Sequence, residues 1–151
     1  MIEDFWDEFV AATGIDGPYE AWAFGDESLG DLATELALLV RDGPKRATAG
    51  LAAEYEAESE VLPTVGDLSV VLDGQGGPVC VIRTTQVETR RFGDVDDAFA
   101  WDEGEGDRTL DWWRRAHLWF FEQFGIRVDE DTPLVLERFE LLWPAPEKPV
   151  G

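Results

Sequence analysis

Lys45 and Thr48, in the run Gly43-Pro44-Lys45-Arg46-Ala47-Thr48, form one pair of residues whose types and spacing could do chemistry. The second such stretch is Asp102-Glu103-Gly104-Glu105-Gly106-Asp107, four carboxylates interleaved with two glycines. The chain carries 12 Lys+Arg against 33 Asp+Glu, and of its two lysines the other, Lys148, lies in a Pro-rich tail. A lysine desolvated in a cleft can fall in pKa and act as a base on a hydroxyl or a water, while a carboxylate positions the reacting group or passes the proton on. The acidic stretch read by itself is a flexible loop. It could be solvated, hold a hard cation such as Mg²⁺ or Mn²⁺ through oxygen ligands, or supply one general acid/base, and composition favours the solvated state.

The elements that must position these groups follow from local pattern. Phe5, Trp6, Phe9 and Val10 recur at helical spacing up to Gly14, which predicts a first helix over about 1–13. Residues 15–27 read as an ordered loop whose rings dock on the core. Ser28 and Asp31 form a capping-box-like start for a second helix, with Leu32, Leu36, Leu39 and Val40 on one face and Gly43 as its stop. Gly43-Pro44 therefore delivers Lys45 where a helix ends and unpaired backbone groups begin.

A short Ala-rich helix over about 51–58, broken by Pro63, comes next. A hairpin follows, with strands at 68–72 and about 78–90 joined by Gly74-Gln75-Gly76-Gly77. Arg83, within the second apolar strand, is at a sheet edge, paired with a carboxylate, or aimed into a pocket. Phe92 to Trp101 reads as a short acidic helix. Thr109 caps a strong helix over about 110–124 whose stripe is Trp113, His117, Phe120 and Phe124, and 133–143 alternates as a last strand. Five or six short strands without regular βαβ alternation predict an α+β protein with a mainly antiparallel sheet or small barrel.

Composition removes several functions. A formal net charge of −21 repels polyanions at long range, so duplex DNA is not an expected partner. One cysteine, Cys80, excludes an internal disulfide and a multi-thiolate metal site. No window approaches the length of a membrane span and the start lacks signal-peptide character, so a soluble cytoplasmic protein is expected. The 44% hydrophobic share and seven Trp residues fit one folded domain with a core rather than a disordered acidic chain.

The ordered landmarks Gly43-Pro44-Lys45-Arg46-Ala47-Thr48, Leu62-Pro63-Thr64-Val65-Gly66-Asp67, Pro78-Val79-Cys80-Val81-Ile82-Arg83-Thr84, Glu103-Gly104-Glu105-Gly106-Asp107 and Trp113-Arg114-Arg115-Ala116-His117 resemble the ASCH domain, in its longer bacterial branch. The resemblance implies a small PUA-like mixed or antiparallel β-barrel flanked by helices. It divides the chain into an N-terminal helical extension (1–21), the ASCH domain (22–143) and a disordered tail (144–151). It also implies a cleft for RNA, a nucleoside or a nucleotide, since some relatives cleave single-stranded RNA and shorter ones hydrolyse acylated cytidines.

In the short amidohydrolases a Lys, a Thr three residues later and a distant Glu carry the reaction. That maps catalytic roles onto Lys45, Thr48 and Glu105 or Glu103, with Arg46, Arg83, Arg114 and His117 as ligand-binding candidates. No metal site is assigned, and a divalent cation enters only if the protein is ribonuclease-like. The expectation is a hydrolase of the ribonuclease or amidohydrolase type, the alternative a non-catalytic RNA- or nucleotide-binding module.

Overall fold

The computed structural model describes residues 1–25 and 30–145. The capping residue expected at Ser28, the end of the 15–27 loop, and Lys148 with the tail from residue 146 lie outside the described residues. In chain order the elements are α1 (Ile2–Thr13), β1 (Tyr19–Ala23), α2 (Gly30–Asp42), β2 (Ala47–Leu51), α3 (Ala52–Ala57), β3 (Leu68–Leu72) and β4 (Pro78–Arg91). A 3₁₀ turn (Phe92–Asp94), α4 (Asp97–Glu103), α5 (Leu110–Glu122) and β5 (Pro133–Trp143) complete the described chain. The strands form one mixed sheet in the order β1-β3-β4-β5-β2, which is the α+β class expected.

The chain forms two compact units, and β4 and β5 run through both. The first unit comprises Met1–Gly43, Val65–Thr85 and Phe139–Gly151. Here β1 runs parallel to β3, Tyr19 opposite Leu68 and Ala23 opposite Leu72, and β3 pairs antiparallel with β4, Val70 opposite Val81 and Val71 opposite Cys80. Alternation along these strands sends Val70 and Val81 to one face, where they bury Trp6 and Phe9 of α1. Val71, Cys80 and Ile82 face the other way, against Ala37 and Val40 of α2. Burial on both faces explains why the first half of β4 reads as a continuous apolar run. Cys80 is a buried thiol outside any disulfide, as expected.

Two local expectations need correction in this unit. The segment 19–23, read as loop, is a strand, because its pairing partner β3 lies more than forty residues away and five residues beside Gly17-Pro18 carry little signal of their own. On α2 the fully buried positions are Ala33, Ala37 and Val40 rather than Leu32, Leu36 and Leu39, since small side chains let the helix approach closely. For Arg83 the carboxylate pairing, one of the three alternatives, is the one found. Arg83 pairs with Glu140 through its guanidinium, Nε at 2.8 Å, and is about two-fifths exposed.

The second unit comprises Pro44–Thr64 and Gln86–Arg138. β2 pairs antiparallel with β5, Ala47 opposite Arg138 and Leu51 opposite Leu134. The core gathers Ala47, Leu51, Phe92, Val95, Phe99, Ala100, Trp113, Phe121, Leu134 and Leu136. β2 was not expected, because Ala-Thr-Ala-Gly-Leu has weak strand propensity and is held by the β5 ladder. On α5 Trp113 and Phe121 are buried and His117 and Phe120 partly buried, whereas Phe124 is exposed. Asp102 and Glu103 are not loop residues: they form the last turn of α4. Among the described residues no helix is long and apolar enough to cross a membrane.

Candidate functional site

The site is built in the second unit by three segments. Asp96 caps α4 by accepting from the Phe99 N–H at 2.9 Å, and the helix ends at Glu103 with Gly104 in the left-handed conformation, φ 68°. A Cβ on Gly104 would lie 2.8 Å from the backbone of Pro44 and Lys45. Only glycine therefore lets the end of α4 lie flat on the chain that carries Lys45. The orphan carbonyls of the last helical turn are satisfied there, Asp102 O by the Arg46 N–H at 2.7 Å and Glu103 O by Lys45 Nζ at 3.4 Å.

The turn into α5 uses two further left-handed residues, Gly106 at φ 57° and Arg108 at φ 64°. A Cβ on Gly106 would run into the Trp112 indole at 2.2 Å, so the ring closes over this turn. Arg108 is a non-glycine in that region, held by Nε donating to Trp101 O at 2.9 Å and by stacking on the Trp101 ring. Thr109 then caps α5, accepting from the Trp112 N–H at 3.2 Å, and its own N–H and hydroxyl both donate to Asp107. Asp107 is thus a capping partner outside the charged cluster.

At the centre, Lys45 is 1% exposed. Its Nζ donates to Ala47 O at 2.8 Å and Glu105 Oε2 at 2.8 Å, and reaches Glu103 Oε1 at 3.3 Å. Glu103 is 2% exposed, and its other oxygen, Oε2, accepts from the Trp113 indole N–H and lies 3.3 Å from His117 Nε2. His117 stacks on Trp113, ring centres 4.0 Å apart, and its Nδ1 lies 2.8 Å from Trp113 O. Glu105 is the carboxylate nearer to solvent, its side chain 17% exposed.

The proton affinities follow from this arrangement. Burial alone would lower the Lys45 pKa, but Glu103 and Glu105 outweigh it and hold the ammonium above its ordinary value. The expectation of a desolvated, neutral lysine base is thereby corrected: burial came with two counter-charges. Burial would raise Glu103, yet His117 and Lys45 keep it far below the usual carboxylate range. Glu105 is raised, first by burial and then by the like charge of Glu103, against the pull of Lys45. His117 is also raised, the loss from burial being exceeded by Glu103. One ammonium of raised pKa, one carboxyl of lowered pKa and one carboxyl of raised pKa share a site, which separates electrostatic support from proton transfer.

Of the residues singled out in the sequence, Lys45, Glu103, Glu105 and His117 meet in this cluster. Thr48 lies on β2 opposite Glu137, and its hydroxyl makes no hydrogen bond to Lys45 or to either carboxylate. Arg46 flanks the cluster through its backbone, with Nη1 donating to Lys45 O at 2.6 Å. Arg114 turns away, donating to Gly93 O at 3.2 Å. Arg83 belongs to the other unit. Among the described residues no group of three or more His, Cys, Asp or Glu side chains is arranged to hold a metal ion.

Sequence reading missed the part played by Trp113. Its i, i+4 spacing to His117 placed both on one stripe, but nothing local showed that the indole N–H and the imidazole Nε2 would both face Glu103.

A family model described as the ASCH domain matches residues 20–143. A protein from Enterococcus faecalis V583, described under the family model DUF984, is 34% identical with a TM-score of 0.79 over 93% of this chain and 89% of that one. An ASCH domain from Lactobacillus crispatus JV V101 is 33% identical with the same TM-score, over 93% of this chain and 92% of the other. No curated protein matches the chain.

Proposed function

The chain belongs to the ASCH domain family, and on that premise we propose that it is a hydrolase of a nucleoside-sized substrate, of the acylated-cytidine amidohydrolase type. The observation that carries this reading is Glu105: a partly exposed carboxyl of raised pKa, 2.8 Å from a buried ammonium that stays charged. In the reaction Glu105 accepts a proton from a water as its oxygen bonds to the acyl carbon. The tetrahedral intermediate then collapses, the C–N bond breaks, and Glu105 returns the proton to the departing exocyclic amine. Lys45 acts electrostatically, stabilising the ionised form of Glu105 and the negative charge that develops beside it.

Water is the attacking group here rather than Thr48, whose hydroxyl has no bond to the proton acceptor. The net charge of −21 favours a small neutral nucleoside over an RNA strand. A second reading, a nucleotide-binding module without turnover, is favoured by the engagement of every Lys45 N–H with protein acceptors.

Chromatography of N4-acetylcytidine incubated with the purified protein tests both. The hydrolase reading expects cytidine and acetate, a loss of about 10²–10⁴ in kcat for Glu105→Gln, and indifference to EDTA. Saturable binding without product supports the module instead. Cleavage of single-stranded RNA that EDTA abolishes sinks the amidohydrolase.

A further inference from the structure

Two nitrogens of one ring face two oxygens. His117 Nδ1 lies 2.8 Å from Trp113 O, a carbonyl that can only accept, and Nε2 lies 3.3 Å from Glu103 Oε2. Glu103 cannot supply the shared proton itself, because its Oε1 faces the Lys45 ammonium and its Oε2 already accepts from the Trp113 indole. Both ring nitrogens therefore carry hydrogen, and the imidazole is a cation. The proposed reaction uses Glu105 and Lys45 and leaves this second buried cation without a task.

We infer that His117 is a positioning residue of the site: as an imidazolium it grips one oxygen of Glu103, turning the other toward Lys45, so that the ammonium is aimed at Glu105. The chain of contacts is continuous and crosses three segments. His117 and Trp113 sit one turn apart on α5, with their rings stacked. Their N–H groups converge on the same carboxylate oxygen at the end of α4. The opposite oxygen of that carboxylate meets Nζ from the segment before β2, and Nζ meets Glu105.

The charged groups facing His117 are Glu103 from α4 and Glu105 from the turn after it, while Lys45 reaches it only through Glu103. α5 itself presents the Trp113 carbonyl. With the imidazolium in place the cluster holds two cations against two carboxyls. Without it, Glu103 and Glu105 compete for a single ammonium, and Glu105 retains its proton to higher pH. The inference thus rests on the hydrolase reading and assigns the residue that tunes its acid/base.

The test exploits the fact that His117 is the only histidine in the chain. A ¹⁵N titration of the intact protein should show both ring nitrogens protonated at neutral pH, with deprotonation above the ordinary histidine value of about 6.5. A ¹³Cδ titration should place the Glu105 midpoint higher in His117→Gln, which keeps a donor amide but loses the charge, than in the parent. A ring that is neutral at or below pH 6.5 in the parent overturns the inference. So does an unmoved Glu105 midpoint in the variant, the outcome expected of a residue that only packs.

In turnover of N4-acetylcytidine, the acid limb of the pH–rate profile should move with the Glu105 midpoint. Neither titration needs substrate, so an absence of turnover sinks the hydrolase reading while the two titrations still decide the role of His117.

Discussion

Lys45→Met keeps most of the aliphatic stem and removes only the ammonium, which isolates the electrostatic part of the cluster. Glu103 would retain His117 and Trp113, but Glu105 would face it with no cation between them. Breaking a buried pair by removing one partner costs about 3–5 kcal/mol. For a chain of this length each kcal/mol moves the midpoint by roughly 2–4 °C, so the thermal unfolding midpoint followed by circular dichroism should drop by about 6–20 °C at pH 8.

The sign with pH is also set. Removing the ammonium raises the folded-state pKa of Glu105 further above its unfolded value, so the variant is least penalised below that unfolded value and loses stability as pH rises through the folded one. The deficit relative to the parent should therefore grow from pH 5 to pH 8. Adding Glu105→Gln to the variant should recover part of it, because the uncompensated charge is gone. A midpoint within about 2 °C of the parent at pH 8, or a deficit that does not change with pH, would refute the claim that these three side chains form one charge-coupled unit.

Gly104→Ala should cost more than about 2 kcal/mol by urea denaturation, combining the left-handed backbone penalty with a Cβ placed 2.8 Å from the Lys45 backbone; a neutral result would mean that α4 does not pack on that segment. Thr109→Ala removes the α5 cap and should cost about 1 kcal/mol, read the same way, with turnover per folded molecule unchanged. The raised pKa of His117 predicts a contribution to stability that is complete below pH 6.5 and lost as pH rises through the folded value. Urea midpoints of the parent should accordingly fall on the alkaline side, and His117→Gln should flatten that dependence.

Much of the scaffold was legible locally. α1 ends at Gly14 in the left-handed conformation, Thr109 caps α5, and β3, β4 and β5 lie where their apolar patterns placed them. Each is a short-range property: a glycine where φ must be positive, a hydroxyl before a helix, an alternation that matches the pleat. β1 and β2 were not legible, since a short or small-residue strand is specified by its partner, and those partners are remote in the chain. On α2 the larger side chains were chosen whereas close packing buried Ala33 and Ala37, and on α5 the stripe turned to Phe121 in place of its neighbours Phe120 and Phe124.

For the site, the sequence alone determined the actors: a lysine in an acidic chain, a carboxylate pair spaced by glycine, and one histidine on an aromatic helix face. It left open how the two carboxylates differ, and it read the lysine as a base that burial could neutralise. Tertiary structure sets the surroundings of all three. Glu103 and Glu105 are 58 and 60 residues from Lys45, and their opposite pKa shifts arise from which buried neighbours each one meets. A desolvated lysine is neutral only if it is buried alone. Coulombic attraction in a poorly polarisable interior exceeds the burial penalty once two carboxylates are within reach of the ammonium, and that proximity is a property of the folded chain.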